Sequence, residues 1–274
     1  MSARYLFGVD LELSGLAAPA GERAAALTGR YLDFLERRGA RGTFFVVGDA
    51  ARAAPGLVRR IAAAGHEIAC HSDRHVPLDR QDPARFRDDL LRSLDALAAA
   101  GAGEVRGYRA PCFSLTARTA WAYEVLAGLG FAYSSSALPA RSPLYGWPGF
   151  GAAPRAMSGV LELPVTLLPW RLLPLPMGGG VYFRVLPAPL LRAAYRKRRG
   201  AGEAVSGYLH PYDVDAGGAA AAFAGVRRFG PSAWLLRANR GAVLSRLDRL
   251  LGAGFEIGRY RDHAEALLRG PEAR

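Results

Sequence analysis

Residues 42–75 read GTFFVVGDAARAAPGLVRRIAAAGHEIACHSDRH, and this stretch decides the fold class. Two apolar runs, Gly42-Thr43-Phe44-Phe45-Val46-Val47 and Glu67-Ile68-Ala69-Cys70, flank a segment over about 50–64 with helical spacing, broken by Gly65-His66. Short, uninterrupted apolar runs are what strands show when both faces are buried, as in parallel sheets sheathed by helices. The same alternation extends outward in both directions. Tyr5-Leu6-Phe7-Gly8-Val9 reads as a strand ending at Asp10, and residues 22–38 space Leu27, Tyr31, Phe34 and Leu35 as a helix does. Residues 83–100 form an amphipathic helix on Phe86, Leu90, Leu91, Leu94 and Leu97; Gly107-Tyr108-Arg109 predicts a fourth strand, and a helix follows near 117–129. Strand after helix at this spacing predicts an α/β protein with a parallel sheet or barrel.

From about 137 to 190 the pattern dissolves into Pro, Gly and aromatic residues, with one strand candidate at Val160-Leu161-Glu162-Leu163. A connection this long is usually functional. Regularity returns at Ser206 to Leu209, in a helix over about 239–253 and at Phe255-Glu256-Ile257, while the Ala/Gly tract 216–222 reads as a loose connection. With no repeat and no linker, residues 1–274 are expected to form a single domain.

Half of the 274 residues are apolar and 22% are charged, which excludes wholesale disorder, collagen-like repeats and coiled coils. The charge is unusual: 36 basic residues against 24 acidic ones, a formal +12, with Lys197 the one lysine. A GC-rich genome, whose codons favour arginine, and a surface that meets anions both produce such a skew. No nucleic-acid motif accompanies it, so no nucleic-acid partner is expected. Cys70 and Cys112 make no disulfide framework, and the N-terminus lacks the features of a signal peptide. Prolines and glycines interrupt the apolar stretch 161–181, so it predicts no membrane span. A cytoplasmic location is expected, with peripheral membrane contact left open.

Polar residues gather where the strands end, and in parallel α/β folds those ends share one face. Asp10 and Glu12 follow the first strand, His71 and His75 the third, Arg109 closes the fourth and His210 ends a later one. Two imidazoles four residues apart, placed on one side of a helical turn, can close on one metal ion; with a carboxylate they leave a position open for water. Carboxylates two apart on an extended chain point to one side, so one can ligate while the other accepts a proton. Arg109 can hold such a base ionised, and His210 suits a general acid because its reference pKa lies near neutrality. Solvent-facing or structural roles are the alternative for each residue taken singly.

Taken in order, these pieces resemble the polysaccharide deacetylase (NodB-homology) family of metal-dependent carbohydrate de-N-acylases. The resemblance rests on Gly8-Val9-Asp10-Leu11-Glu12, Thr43 to Gly48, Gly65 to His75, Arg109-Ala110-Pro111-Cys112-Phe113-Ser114 and Leu209-His210-Pro211. Versions of Leu175 to Arg184 and of His210-Pro211-Tyr212-Asp213-Val214-Asp215 point to the exopolysaccharide- and exosortase-associated subgroup. The resemblance implies a deformed (β/α) barrel of about seven parallel strands and hydrolysis of an N-acyl group from an amino sugar. It implies Glu12, His71 and His75 as ligands of a divalent metal, zinc first with cobalt or nickel as alternatives. Asp10 becomes the base, Arg109 its orienting partner, His210 the acid and the Cys112 N–H an oxyanion donor, with Pro111, Phe113 and Tyr212 at the substrate. Relatives carry adjacent aspartates where this chain has Asp10-Leu11-Glu12, and a further Asp where it has Tyr133-Ser134-Ser135-Ser136. Loss of such a supporting residue typically costs about 10–100-fold at a metal site.

The substrate expected is a glycan or a lipid-linked amino sugar. A non-sugar amide, or binding without turnover, are the rival readings. Aromatic residues in 140–185 (Tyr145, Trp147, Phe150, Trp170, Tyr182, Phe183) stack on sugar, dip into lipid or simply pack. The run Arg192, Arg196, Lys197, Arg198 and Arg199 is either a solvated face or a match for phosphates and an anionic leaflet.

Overall fold

Ten strands alternate with helices in a computed structural model that describes residues 3–13, 16, 19–217, 237–252 and 254–270. The strands are β1 (Ala3–Leu6), β2 (Gly8–Leu11), β3 (Thr43–Val46), β4 (Glu67–Cys70), β5 (Gly107–Tyr108), β6 (Tyr133–Ser134), β7 (Arg155–Met157), β8 (Val160–Glu162), β9 (Val205–Ser206) and β10 (Phe255–Gly258). One sheet runs β2-β3-β4-β5-β6-β8-β7, parallel throughout except at the β7–β8 hairpin. A second sheet, β10-β1-β9, is parallel too and continues the first, because β1 and β2 are consecutive pieces of one chain segment. The α/β architecture read from residues 42–75 is what forms.

The first strand is interrupted at Phe7. Its N–H donates to Gly258 O (3.0 Å) while its carbonyl accepts from Thr43 N (2.8 Å), so the segment changes partners from β10 to β3 at that residue. The double burial of β3 is resolved by its pleat. Phe44 and Val46 pack outward into the main core with Tyr31, Phe34 and Leu35, whereas Phe45 turns inward with Leu6, Ala69, Tyr133, Leu161 and Tyr260. Period-two alternation across two apolar layers is why the sequence shows no polar face there.

Helix α1 (Ala20–Arg37) lays its buried stripe against this sheet. The single helix expected over 50–64 is two helices, α2 (Gly48–Ala53) and α3 (Pro55–Ala63). Pro55 disfavours the helical region for the residue before it, and Ala54 leaves it at φ −140°, ψ 60°. Asp82 caps α4 (Pro83–Ala99), its side chain accepting from Arg85 N at 2.9 Å with Pro83 at the first helical position. The helix expected near 117–129 is a 3-10 turn, Ala117–Thr119, followed by α5 (Ala122–Gly128). The stretch from 137 to 190 holds β7, β8 at the position of its one strand candidate, α6 (Gly180–Val185) and the start of α7 (Ala188–Gly200). Residues 240–251 form a short turn and α8 (Val243–Leu251), and α9 (Tyr260–Leu268) follows β10. Most of the Ala/Gly tract, 218–222, lies outside the described residues.

Between β8 and β9 the wall is completed by side chains and one bridge. Ser206 Oγ accepts from Thr166 N (2.7 Å), Thr166 Oγ1 accepts from Ser206 N (2.9 Å), and Gly179 bridges Tyr208 in parallel. The glycines are obligatory there: a Cβ on Gly179 would stand 1.8 Å from Tyr208 O, and one on Gly178 1.8 Å from Ser206 O. Among the described residues no helix is long and apolar enough to cross a membrane.

Candidate active site

The C-terminal ends of β2, β4 and β5 bring Glu12, His71 and Arg109 to one face, as the strand-end pattern predicts. One ligand atom from each of Glu12, His71 and His75 lies within 4.8 Å of the others. The route differs from the expected helical turn. His71 to His75 is a loop in which Ser72 (φ 66°) and His75 (φ 55°) take left-handed backbone, so the chain doubles back and sets the two rings 4.9 Å apart at 66°. The loop is braced from below: Ser72 O accepts from Ser93 Oγ and Gly48 N, both at 3.0 Å. Asp73 pairs with Arg52 at 2.6 Å.

These three residues fit a divalent cation. The His71 Nδ1–H donates to Arg109 O at 2.8 Å, which leaves Nε2 as the ligating atom. Burial holds the His71 pKa down at about 4, so the ring is neutral and able to ligate. Burial alone would raise the Glu12 carboxyl, but His75, then His210 and His71, outweigh it and bring it to about 2. Glu12 Oε2 is buried and accepts no hydrogen bond, although His75 Nε2 stands 2.8 Å away. An anionic oxygen with no donor, facing imidazole nitrogens, is a donor set suited to zinc, cobalt or nickel.

Asp10 sits beside this cluster but binds Arg109 instead. Arg109 is 1% exposed, and its Nη1 donates to Asp10 Oδ1 at 2.6 Å. Its other donors reach Ser135, Nε to the carbonyl (3.1 Å) and Nη2 to the hydroxyl (3.2 Å), while Phe45 lies 3.8 Å beneath the guanidinium. The serine stretch where an aspartate was expected therefore supports Arg109 through neutral groups. Behind it, buried Glu162 accepts from Ser136 N (2.7 Å), Ala137 N (2.8 Å) and Tyr123 OH (3.0 Å), fixing the segment after β6 that includes Ser135.

His210 faces the second oxygen of the same carboxylate, Nε2 to Asp10 Oδ2 at 3.8 Å. The carboxylate that the sequence reading sought near Ser134 serves His210 from three residues downstream. Asp213 Oδ2 accepts from His210 N (2.9 Å) and lies 3.0 Å from Nδ1. Fully buried, Asp213 also pairs through Oδ1 with Arg184 Nε at 2.9 Å. Burial pulls the His210 pKa down, but Asp213, then Asp10 and Glu12, lift it to about 9, so the ring is an imidazolium at neutral pH. The His-Pro-x-Asp spacing, a cap and its third residue, was the available signal for Asp213. Ser135 and Glu162 left no such trace.

Of the remaining candidates, Pro111 is buried, Phe113 is half-buried against Tyr208 (5.2 Å, 87°), and Tyr212 stacks on His210 (4.6 Å, 12°). Cys112 sits exposed on the loop after β5 at φ 55°. Partial desolvation at that rim, then the carboxylates of Glu12 and Asp10, push its thiol up to about 11. His66 accepts from Gly42 N at 3.2 Å away from the cluster, as a structural histidine does. The chain leaving His75 forms one wall of a groove of about 730 Å³ that includes Asp79, Gln81, Arg118, Arg141, Tyr145 and Trp147. Tyr145 OH donates to Asp79 Oδ1 at 2.9 Å across it. Phe150 and Phe183 are core residues.

Residues 19–132 match a family model described as polysaccharide deacetylase. This segment, less than half of the chain, is similar to the polysaccharide deacetylase family. It carries His71, His75 and Arg109, while residues 135–264, which carry His210 and Asp213, match a domain of unknown function (DUF3473). A chitooligosaccharide deacetylase of Bradyrhizobium sp. (strain ANU 289) is 39% identical over 69 residues, 25% of this chain and 32% of that relative. The match thus spans about a third of the curated relative's length. Among solved structures, Puue allantoinase aligns at TM-score 0.67 with 15% identity, covering 99% of this chain and 92% of its own. A family 4 carbohydrate esterase from Streptomyces lividans, in complex with acetate, aligns at 0.53 with 18% identity, covering 94% and 93%. At these identities the likeness concerns the fold.

Proposed function

We propose that the chain is a metal-dependent hydrolase that removes an acetyl or formyl group from the nitrogen of an amino sugar. The observation that carries this is the juxtaposition of Glu12, His71 and His75 with an Asp10–Arg109 pair and an Asp213-charged His210. A divalent cation held by the three donors supplies Lewis acidity to an acyl oxygen and to the attacking water. Asp10, held in place by the guanidinium at 2.6 Å, accepts the proton of that water. His210 donates its proton to the departing nitrogen, so the C–N bond breaks to give an amine and a carboxylic acid. The Cys112 N–H is assigned to the developing oxyanion.

The matched relative named as acting on chitooligosaccharides supports a sugar substrate. The groove that starts at Leu78, three residues after His75, supports a substrate longer than one sugar, because Tyr145 and Trp147 line it together with Asp79 and Arg141. We place the reaction in exopolysaccharide or envelope assembly, on a glycan or a lipid-linked saccharide. The test is acetate or formate release from N-acyl hexosamine oligomers and from lipid-linked amino sugars, with bound metal assayed alongside. Release that disappears with metal in His71→Ala and persists in His66→Ala is expected. A wild-type protein that binds no zinc, cobalt or nickel and stays inert with each added refutes the reading. Release from non-sugar amides alone replaces sugar as the substrate.

A further inference from the structure

Residues 167–176 form a projecting hairpin. Leu167 bridges Pro176 in antiparallel fashion, and Leu168 N donates to Leu175 O at 2.8 Å. The turn closes through Leu173 N to Trp170 O at 3.0 Å, and Pro169, Pro174 and Pro176 stiffen it. Its tip is inverted relative to an ordinary soluble surface. Leu172 is 99% exposed and Leu173 38%, beside half-buried Trp170 and exposed Arg171. Scattered surface leucines need no explanation. Two adjacent ones on a rigid tip, with an indole and a guanidinium alongside, have the composition of a segment that sits at a lipid–water boundary.

The hairpin base meets the basic end of α7. Arg198 Nη2 donates to Leu167 O at 2.7 Å, and Arg198 also pairs with Glu203. Its neighbours Arg196, Lys197 and Arg199 are exposed, and among the described residues none of them makes an ion pair. Uncompensated positive charge next to an apolar tip matches the layered chemistry of an anionic bilayer, with phosphates outside and acyl chains within. Leu167 packs against the buried cluster of Leu138, Ala140, Val165 and Tyr208, the same cluster on which Phe113 packs.

We propose that the 167–176 hairpin and the C-terminal end of α7 dock this chain on an anionic membrane surface, with Leu172 and Leu173 entering the acyl region. This rests on neither the metal nor catalysis. The experiment is sedimentation of the purified chain with phosphatidylcholine vesicles, with and without phosphatidylglycerol, at low and high salt. Binding is expected only with phosphatidylglycerol and is expected to weaken as salt rises. Leu172→Asp with Leu173→Asp is expected to lose about tenfold in affinity or more. Arg196→Glu with Lys197→Glu and Arg199→Glu is expected to lose about 100-fold. Both variants should retain the wild-type thermal midpoint, since none of the five side chains is buried. Equal sedimentation with and without phosphatidylglycerol overturns the proposal. So does a leucine variant that binds as wild type, which reduces the surface to electrostatics alone.

Discussion

Asp213→Asn isolates what the buried carboxylate does for His210. The rise of the imidazole from 6.5 to about 9 is worth about 3 kcal/mol of preference for the charged ring. Burial opposes it, and Asp213 heads the groups that reverse the sign, ahead of Asp10 and Glu12. A neutral amide leaves the two more distant carboxylates, so the His210 pKa should fall by about 1–2 units. The alkaline limb of kcat/KM reports the acid of the free enzyme, and it should move down by that amount. At pH 6 the variant should retain most of its rate; at pH 8.5 it should lag by about tenfold. The assay is the pH profile of acyl release, with His210 titrated in parallel by NMR without substrate. Arg184 Nε loses a carboxylate at 2.9 Å, which costs about 3–5 kcal/mol if nothing compensates. The thermal midpoint must therefore be measured first, and Asp213→Glu, which keeps the charge, serves as a companion. A folded Asp213→Asn protein whose alkaline limb stays in place refutes the reasoning, and a uniform loss at every pH reduces Asp213 to holding the ring in position.

Arg109→Lys keeps the charge but gives up both bonds to Ser135, and should lower kcat by about 10–100-fold with metal content unchanged. Gly179→Ala places a Cβ 1.8 Å from Tyr208 O and should lower stability by about 3 kcal/mol or more, read from the urea midpoint. His66 and His71 both have pKa values near 4 in the fold, chiefly through burial, against 6.5 in the unfolded chain. Their contribution to metal-free stability is present above pH 6.5 and is lost as pH falls toward 4, which acid titration of the urea midpoint checks. His210 runs the other way: its contribution is full below 6.5 and fades as pH rises to about 9.

The donors were legible because each follows directly on a strand buried on both faces, and such strands announce themselves as unbroken apolar runs. Glu12, His71 and Arg109 needed no more than that. The loop between His71 and His75 was misread because four-residue spacing looks the same in a helix and in a chain folded back by left-handed Ser72 and His75. Strands of two or three residues such as β6 and β7 are too short for any periodicity to register, whereas β8 and β9 sit in apolar runs that are read as strands. Ser135 works mainly through its backbone carbonyl, which residue type cannot advertise, and Glu162 acts through amides two elements away. Asp213 stood within a quoted motif, but its value depends on a fold that turns the chain at Pro211 and buries the carboxylate.

The three candidate metal donors all lie within the first 75 residues, whereas His210 and Asp213 come from the last third of the chain and reach Asp10 by pairing alongside β1 and β2. Under the proposed mechanism, capture of a cation and delivery of a proton are thus encoded in separate stretches of gene. Recombination or drift downstream of residue 135 can retune the acid, or silence it, while the ion-holding half stays as it was. A lineage built this way can shed turnover and keep binding in one step, and can regain turnover by the reverse step.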